Sequence, residues 1–390
     1  MNAFDALLAV FTFAFGAILG SFANVCIHRL PRGESVVHPP SRCPACGTRI
    51  AFYDNVPLLS WALLRGRCRT CRAPISPRYP LVETAVGLLV LASFLRWGPT
   101  LTAATAALLA LASVVLAATD LEGRVLPDEI TLGTLAVAVL LAGARDVVDG
   151  SAGARFLPLS SHVAEALLGA VFGAGLLLAV RAGYHAVRGV EGLGLGDVKM
   201  IGMIGALEGP AGVLVTLLFA SVAGSVAGGA VAVARRLRWR SVEARARRGP
   251  DAARAVAARE GLLVGLDGRL LAAAPEWAEI PGSTAVGALV NGRAPAARPV
   301  TAFLRLARAR AARGLPSAYG RLALDDGADY FRVLSVKAVP LPQGLLVLMG
   351  RADVPFGVFL AVGAVAAYPL GRAFLTRLLG EIPFEARLLP

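Results

Sequence analysis

Charge is what this sequence has least of. Acidic and basic residues make up 17% of its 390 positions against 56% hydrophobic, and the mean hydropathy is +0.66, which excludes an ordinary soluble globular protein. Acids are the scarcer sign, 26 against 39 Lys and Arg, leaving a formal net charge of +13. The arginines crowd short loops beside apolar runs, as the positive-inside rule requires, so no nucleic-acid partner is expected. Histidine is nearly missing: His28, His38, His162 and His185 are scattered without ligand spacing and read as interfacial residues. Of the 5 cysteines, Cys26 stands alone at the end of the first apolar run and reads as a small buried residue. No basic n-region precedes that first run and no small-x-small cleavage site cleanly ends it, so it reads as a retained span and not a removable signal.

What the chain has in abundance is long apolar sequence. Ala6 to Ile27, Leu101 to Thr119, Ala164 to Val180, Ala211 to Ala234 and Val354 to Gly371 are long enough, or nearly so, to cross about 30 Å of hydrocarbon as helices, with Tyr79–Leu95 and Ile130–Ala144 as weaker candidates. The expected fold is therefore an all-α polytopic membrane protein. Between Ile27 and Tyr79 lies a polar loop with nine arginines against two acids, Glu34 and Asp54, which places it in the cytoplasm and the N-terminus outside. Alternate crossings then return Asp120, the Gly194–Asp197 turn and the basic run at Arg235-Arg236 to the cytoplasmic side. One further apolar segment is too short to span: Val198 to about Leu207, before Glu208-Gly209-Pro210, covers roughly 15 Å as a helix. Either it is half a span completed by the glycine-rich turn, or Asp197 sits in a water-accessible notch; both draw the acid to membrane depth.

From Arg235 to Asp353 the composition becomes that of a soluble α+β insert. It opens on Arg235-Arg236-Leu237-Arg238-Trp239-Arg240, which suits an anionic leaflet. Strand-like runs follow: Leu262–Leu266 and Arg269–Ala273 about the Asp267-Gly268 turn, then Tyr330–Val339 and Gly344–Met349 as a hairpin, with a helix expected over Val300 to Arg313. This order, with Pro275-Glu276-Trp277 after the first pair, is similar to a small sensory domain of the PAS type. The insert has no His and no Cys to hold a haem or a linked flavin.

Cys43-Pro44-Ala45-Cys46 and Cys68-Arg69-Thr70-Cys71 are two C-x-x-C knuckles at the spacing that closes four thiolates around Zn²⁺. The alternatives are disulfide or redox use, which a reducing cytoplasm disfavours, and unligated cysteines. A site of four cysteines is closed, so its role would be to fold the loop.

The acids carry the chemistry. Asp197 is framed by Gly194 and Gly196 at the mouth of an apolar segment, and Asp120 ends another. A carboxylate beside hydrocarbon must be paired, hydrated or protonated. Two carboxylates brought close share a proton, so that one draws a proton from water while the other protonates a carbonyl oxygen under attack, which hydrolyses a peptide bond without metal or covalent intermediate. Spacing alone leaves open whether the two meet. Asp128 reads as a turn acid after Pro127, Glu83 as an interfacial acid, and Lys199 as a snorkelling side chain or a group that biases the dyad.

These residues resemble the bacterial type IV prepilin peptidases, integral-membrane aspartic proteases with a glycine-x-glycine-aspartate turn. The resemblance runs through Gly20-Ser21-Phe22-Ala23-Asn24-Val25, His28-Arg29-Leu30-Pro31, Asp54-Asn55-Val56-Pro57, both cysteine knuckles, Ile75-Ser76-Pro77-Arg78-Tyr79-Pro80, Asp120 with Leu126-Pro127-Asp128, Gly194-Leu195-Gly196-Asp197-Val198-Lys199 and Pro355-Phe356-Gly357. It implies eight membrane segments, Asp120 and Asp197 as the catalytic pair with Gly194, Gly196, Lys199 and Asp128 in support, and zinc on Cys43, Cys46, Cys68 and Cys71. It further implies removal of the short basic leader from prepilins or pseudopilins at the cytoplasmic face of the bacterial inner membrane, and N-methylation of the product with S-adenosylmethionine. The domains expected are 1–30, first span; 31–78, cytoplasmic zinc-binding domain of four cysteines; 79–234, peptidase core; 235–353, the insert, outside the resemblance; and 354–390, last span and tail. A proton-coupled transporter with a zinc-bound loop is the alternative for two intramembrane carboxylates.

Overall fold

Hydrocarbon offers backbone polar groups no partner outside their own segment, so apolar runs of this length fold as helices. The computed structural model describes residues 3–149, 162–188, 193–265, 270–273, 318–325, 331–342, 344–351 and 356–379. Helices α1 (Ala3–Arg29), α2 (Leu59–Leu63), α3 (Arg78–Trp97), α4 (Leu101–Gly123), α5 (Asp128–Asp149), α6 (His162–Arg188), α7 (Leu195–Ala246), α8 (Pro250–Glu260) and α9 (Phe356–Leu379) follow in order. Among the described residues 6 helices, α1, α3, α4, α5, α6 and α7, are long and apolar enough to cross a membrane, and α9 carries a shorter apolar stretch, Phe356–Pro369. Both weaker candidates of the sequence, as α3 and α5, are among the six.

Helix α7 is two arms. Gly209 adopts φ 73°, ψ 178°, outside the helical region, and Pro210 follows without an amide to donate. A Cβ on Gly173 would meet Ile201 O at 2.8 Å and Val213 Cγ2 at 3.2 Å. Those two residues would stand roughly 18 Å apart along a straight helix. The chain therefore turns back at Gly209, and the short segment expected before Glu208 is the first arm of a helical hairpin. Among the described residues, the 6 candidate spans become eight apolar helical segments when the arms of α7 are taken separately and the shorter α9 is added.

Small residues set the helix spacing, as expected where lipid gives no hydrophobic drive for helix association. Gly16 and Gly20 of α1 lie against Gly87 and Glu83 of α3 so closely that a Cβ on either would fall under 3.0 Å from the facing Cα. Gly169 of α6 and Gly205 of α7 are tighter still, with a Cβ on one meeting the other's carbonyl oxygen at 2.0 or 2.1 Å. The core below the candidate site contains Leu109, Leu116, Met200, Ile201, Met203, Ile204, Val213 and Leu360.

By its internal contacts the chain divides into two units, Met1–Ser225 with Pro355–Pro390, and Val226–Val354. The composition change read at Arg235 falls inside α7, whose last turns belong to the second unit. There β1 (Gly261–Gly265), β2 (Leu270–Ala273), β3 (Ala318–Asp325), β4 (Phe331–Leu341) and β5 (Gly344–Arg351) form a five-stranded antiparallel sheet in the order β2-β1-β5-β4-β3. Trp239, Val242 and Ala246 of α7, Ala253 and Ala257 of α8, and Leu263, Leu346 and Leu348 of the sheet share one apolar core. Lys337 is buried beside it and ion-paired with Glu243. The final hairpin of the insert is present as β4–β5, with Pro340 taken into the strand opposite Leu345. The Asp267-Gly268 turn, Pro275-Glu276-Trp277 and the helix expected over Val300 to Arg313 lie outside the described residues.

Candidate active site

Asp120 stands on the last turn of α4, which stops because Arg124 takes a left-handed conformation, φ 55°, and returns its amide to Asp120 O. The chain then passes through Leu126 and Pro127 into α5. Asp197 stands in the first turn of α7, where the Gly194 amide donates to its carboxylate. Arg181 of α6 donates to Leu193 O and so ties down the turn ahead of it. Gly192, the first glycine of that turn, is outside the described residues.

Three contacts bring the two acids into one site. Asp120 is buried, and its Oδ2 accepts the Val358 amide at 3.2 Å at the start of α9. Gly357 lies so close that a Cβ there would be 2.7 Å from Asp120 Oδ2 and 3.4 Å from Leu126 Cδ1. A Cβ on Gly196 would reach the same Leu126 at 3.1 Å. Leu126 is thus wedged between the Gly196-Asp197 turn and the Gly357-Asp120 contact, and the Asp120 and Asp197 carboxylates act on one another electrostatically. The arrangement is a pair of carboxylates, each with a backbone donor, beside one apolar side chain. Such a pair can share a proton across a bound water.

Lys199 and Asp128, two supporting residues of the sequence reading, are paired with one another. Lys199 Nζ lies 2.7 Å from both Asp128 oxygens and joins the first turns of α5 and α7. Glu83, read as interfacial, is buried in α3 and accepts the Leu58 amide at 2.8 Å. Gly357 and Leu126 appeared in the sequence only as members of a motif; their adjacency to the acids is visible in three dimensions alone.

The cysteine loop is a duplicated unit. The Cys43 amide donates to Thr48 O, Gly47 to Cys43 O and Ile50 to Ser41 O; at the matching places Cys68 donates to Ala73 O, Arg72 to Cys68 O and Ile75 to Gly66 O. Gly47 and Arg72, the matching turn residues, both take positive φ, 70° and 62°. Facing knuckles of this kind bring the Sγ atoms of Cys43, Cys46, Cys68 and Cys71 within 4.8 Å of one another, with Cys43 and Cys71 at 3.8 Å. That separation matches the edge of a tetrahedron with metal–sulfur bonds of about 2.3 Å, about 3.8 Å. No disulfide joins these cysteines.

Electrostatics point the same way. Hydrogen bonds from the Thr48 hydroxyl and amide hold the Cys46 thiol down at about 6. The Ala73 amide pulls Cys71 the same way, but desolvation and the three neighbouring sulfurs outweigh it and push Cys71 up to about 11. Four thiolates so close repel one another unless a cation sits among them, and the residues therefore fit a closed site for a zinc-like divalent ion. Asp54 and Arg69 brace the loop through a paired contact, Nη2 to Oδ1 at 2.6 Å and Nε to Oδ2 at 2.8 Å, and the guanidinium lowers the Asp54 carboxyl below its usual value.

Comparison with known proteins gives a consistent result. The bacterial peptidase A24 N-terminal domain matches residues 14–97, and the type IV leader peptidase family matches residues 107–229. Among curated proteins, the prepilin leader peptidase/N-methyltransferase of Myxococcus xanthus is 40% identical over 230 residues, 58% of this chain and 63% of that protein. The proteins of the same name from Klebsiella pneumoniae and Stutzerimonas stutzeri are 39% identical over 220 residues and 34% over 238, each covering 55% of this chain and, respectively, 90% and 77% of theirs. No solved structure matches the chain.

Proposed function

Because this chain belongs to the type IV leader peptidase family, we propose that it is an integral-membrane aspartic endopeptidase that removes the short basic leader of type IV prepilins or pseudopilins. The observation that carries the reading is the meeting of Asp120 and Asp197 about Leu126, with Gly357 against one acid and Gly196 beside the other. In this reading one carboxylate takes a proton from the attacking water while the other protonates the scissile carbonyl oxygen, and the roles reverse as the amine leaves. Leu126 limits bulk water at the pair, and the Val358 and Gly194 amides fix the direction of each carboxylate. The Lys199–Asp128 bridge supports the site by holding the α7 turn to α5.

The active site faces the cytoplasm of the bacterial inner membrane in this proposal, on the grounds of the arginine-rich loop between α1 and α3. Zinc on Cys43, Cys46, Cys68 and Cys71 folds that loop and takes no part in cleavage. The methyltransferase half of the relatives' name comes to this chain as a second proposed activity, with S-adenosylmethionine donating a methyl group to the new N-terminus. No residue is assigned to that step. The five-stranded insert is read as a sensory unit, on its likeness to the PAS type in sequence order. The transporter alternative has no support in the family match and is set aside.

The test is to incubate proteoliposomes of the full chain with a leader-bearing prepilin, with and without S-adenosylmethionine, and to weigh the product. Leader loss is expected in the wild type and absent in Asp120→Asn and Asp197→Asn, both still inserted. Cleavage by both variants would refute the dyad.

A further inference from the structure

The loop between the two cysteine knuckles carries a row of large apolar side chains left open to solvent. Phe52 is 87% exposed, Leu59 62% and Leu63 82%, with Tyr53 and Val56 exposed as well. Leu59 and Leu63 are one helical turn apart on α2, so they share a face. Such a cluster in a polar loop marks an interaction surface.

Its depth can be worked out from one hydrogen bond. The Leu58 amide, in the middle of the stretch, donates to Glu83 Oε2 at 2.8 Å. Glu83 is five residues inside α3, which begins at Arg78, so it lies about 7.5 Å along the helix from its start. The Gly20 contact with Glu83 Cα puts α1 at the same level. A helical side chain leans toward the N-terminus of its helix, so the centre of the exposed stretch is tied to the first turns of a membrane span. Charge points to the same occupant. Nine arginines and two acids lie between Ile27 and Tyr79, and Arg49, Arg65, Arg67 and Arg72 belong to the same loop. Arginines beside apolar side chains at interfacial depth suit acidic phospholipid headgroups over acyl chains. A basic leader peptide is repelled by the same arginines, which argues against substrate as the occupant.

We infer that residues 52–63 form an interfacial seat: Phe52, Val56, Leu59 and Leu63 enter the headgroup–acyl boundary of the leaflet in which α1 ends and α3 begins, and the loop's arginines bind acidic phospholipid headgroups there. The duplicated cysteine unit is then a membrane-seated platform pinned at both ends and in the middle.

The full chain carrying photoreactive p-benzoylphenylalanine in place of Leu63, and separately in place of Phe52, tests this in nanodiscs of phosphatidylglycerol. Metal content of each variant checks that the loop is folded. Irradiation is expected to add the mass of one phospholipid to the peptide bearing the photoreactive residue, with the yield unchanged by added prepilin and at least threefold lower in phosphatidylcholine. Crosslinks to prepilin in place of lipid, or no lipid adduct at either position, would overturn the inference; a yield indifferent to lipid charge would overturn its headgroup half.

Discussion

Replacing Gly357 by Ala tests the site geometry at one atom. The added Cβ would stand 2.7 Å from Asp120 Oδ2 and 3.2 Å from its Cγ, where ordinary contact begins at 3.4 Å, so carboxylate or helix start must give way by about 0.7 Å. Neither has an easy path. Asp120 Oδ2 holds the Val358 amide at 3.2 Å, and Leu126 Cδ1 blocks the other side at 3.4 Å from the same Cβ. A displacement approaching 1 Å at a reacting group is enough to slow a reaction by about 100-fold. The expected loss in kcat is about 30- to 100-fold, or about 2 to 3 kcal/mol in the barrier, with KM little changed because the leader-binding surface is untouched. Initial rates of leader removal in proteoliposomes, followed by product mass, read this directly. Gly175→Ala serves as control, since a Cβ there meets nothing within 4 Å. If Gly357→Ala cleaves within threefold of wild type, Asp120 does not act from the position described.

Exchanging the pair in Lys199→Asp with Asp128→Lys should recover part of the activity lost in either single variant, while each single change costs less than about 1 kcal/mol of stability because both groups are exposed; a cycle with no coupling in cleavage rate would remove the bridge from the site. Gly205→Leu should prevent α6 and α7 from meeting, with a loss on the order of 3 kcal/mol or more, seen as a collapsed melting temperature in detergent; an unchanged melt would contradict the close crossing. Metal bound to the cysteine cluster should dissociate as pH falls, because ligation requires thiolates and acid restores the thiols. The metal-free cluster, with Cys46 at about 6 and Cys71 at about 11, should take up a divalent ion at neutral pH with proton release, seen by calorimetry in buffers of different ionisation enthalpy. Uptake without buffer dependence would mean that thiolates are not the ligands.

The parts of the fold that were legible in the sequence are those set by local composition. Spans are read from hydropathy because a membrane segment must satisfy its own backbone, and the cysteine cluster is read from spacing because each knuckle builds half of it from adjacent residues. Relations between distant segments were not legible. Lys199 looked like a snorkelling side chain because its partner Asp128 lies 71 positions away, and Val358, which orients Asp120, lies 238 positions away beyond the insert. The burial of Glu83 was not legible because its partner is a backbone amide, that of Leu58, 25 positions away.

The short segment after Asp197 shows what a local reading of the sequence leaves open. The first arm of α7, from Leu195 to Glu208, is roughly 20 Å long, about 10 Å less than the hydrocarbon it would have to cross. A segment that short cannot place both ends in water. Its far end does not try: Glu208 is bonded to the Thr216 hydroxyl at 2.9 Å inside the hairpin, and the Gly169–Gly205 crossing clamps the arm against α6. Its near end carries Asp197 to the last turn of α4, where the two acids meet about Leu126. The turn at Gly209 sets the arm's length, and with the far end clamped that length fixes where Asp197 stands relative to Asp120. Lengthening the arm by one helical turn ahead of Glu208 should therefore lift Asp197 away from Asp120 and abolish cleavage, while the metal content of the cysteine loop stays unchanged. Full activity in such a variant would show that the acid's position is set elsewhere.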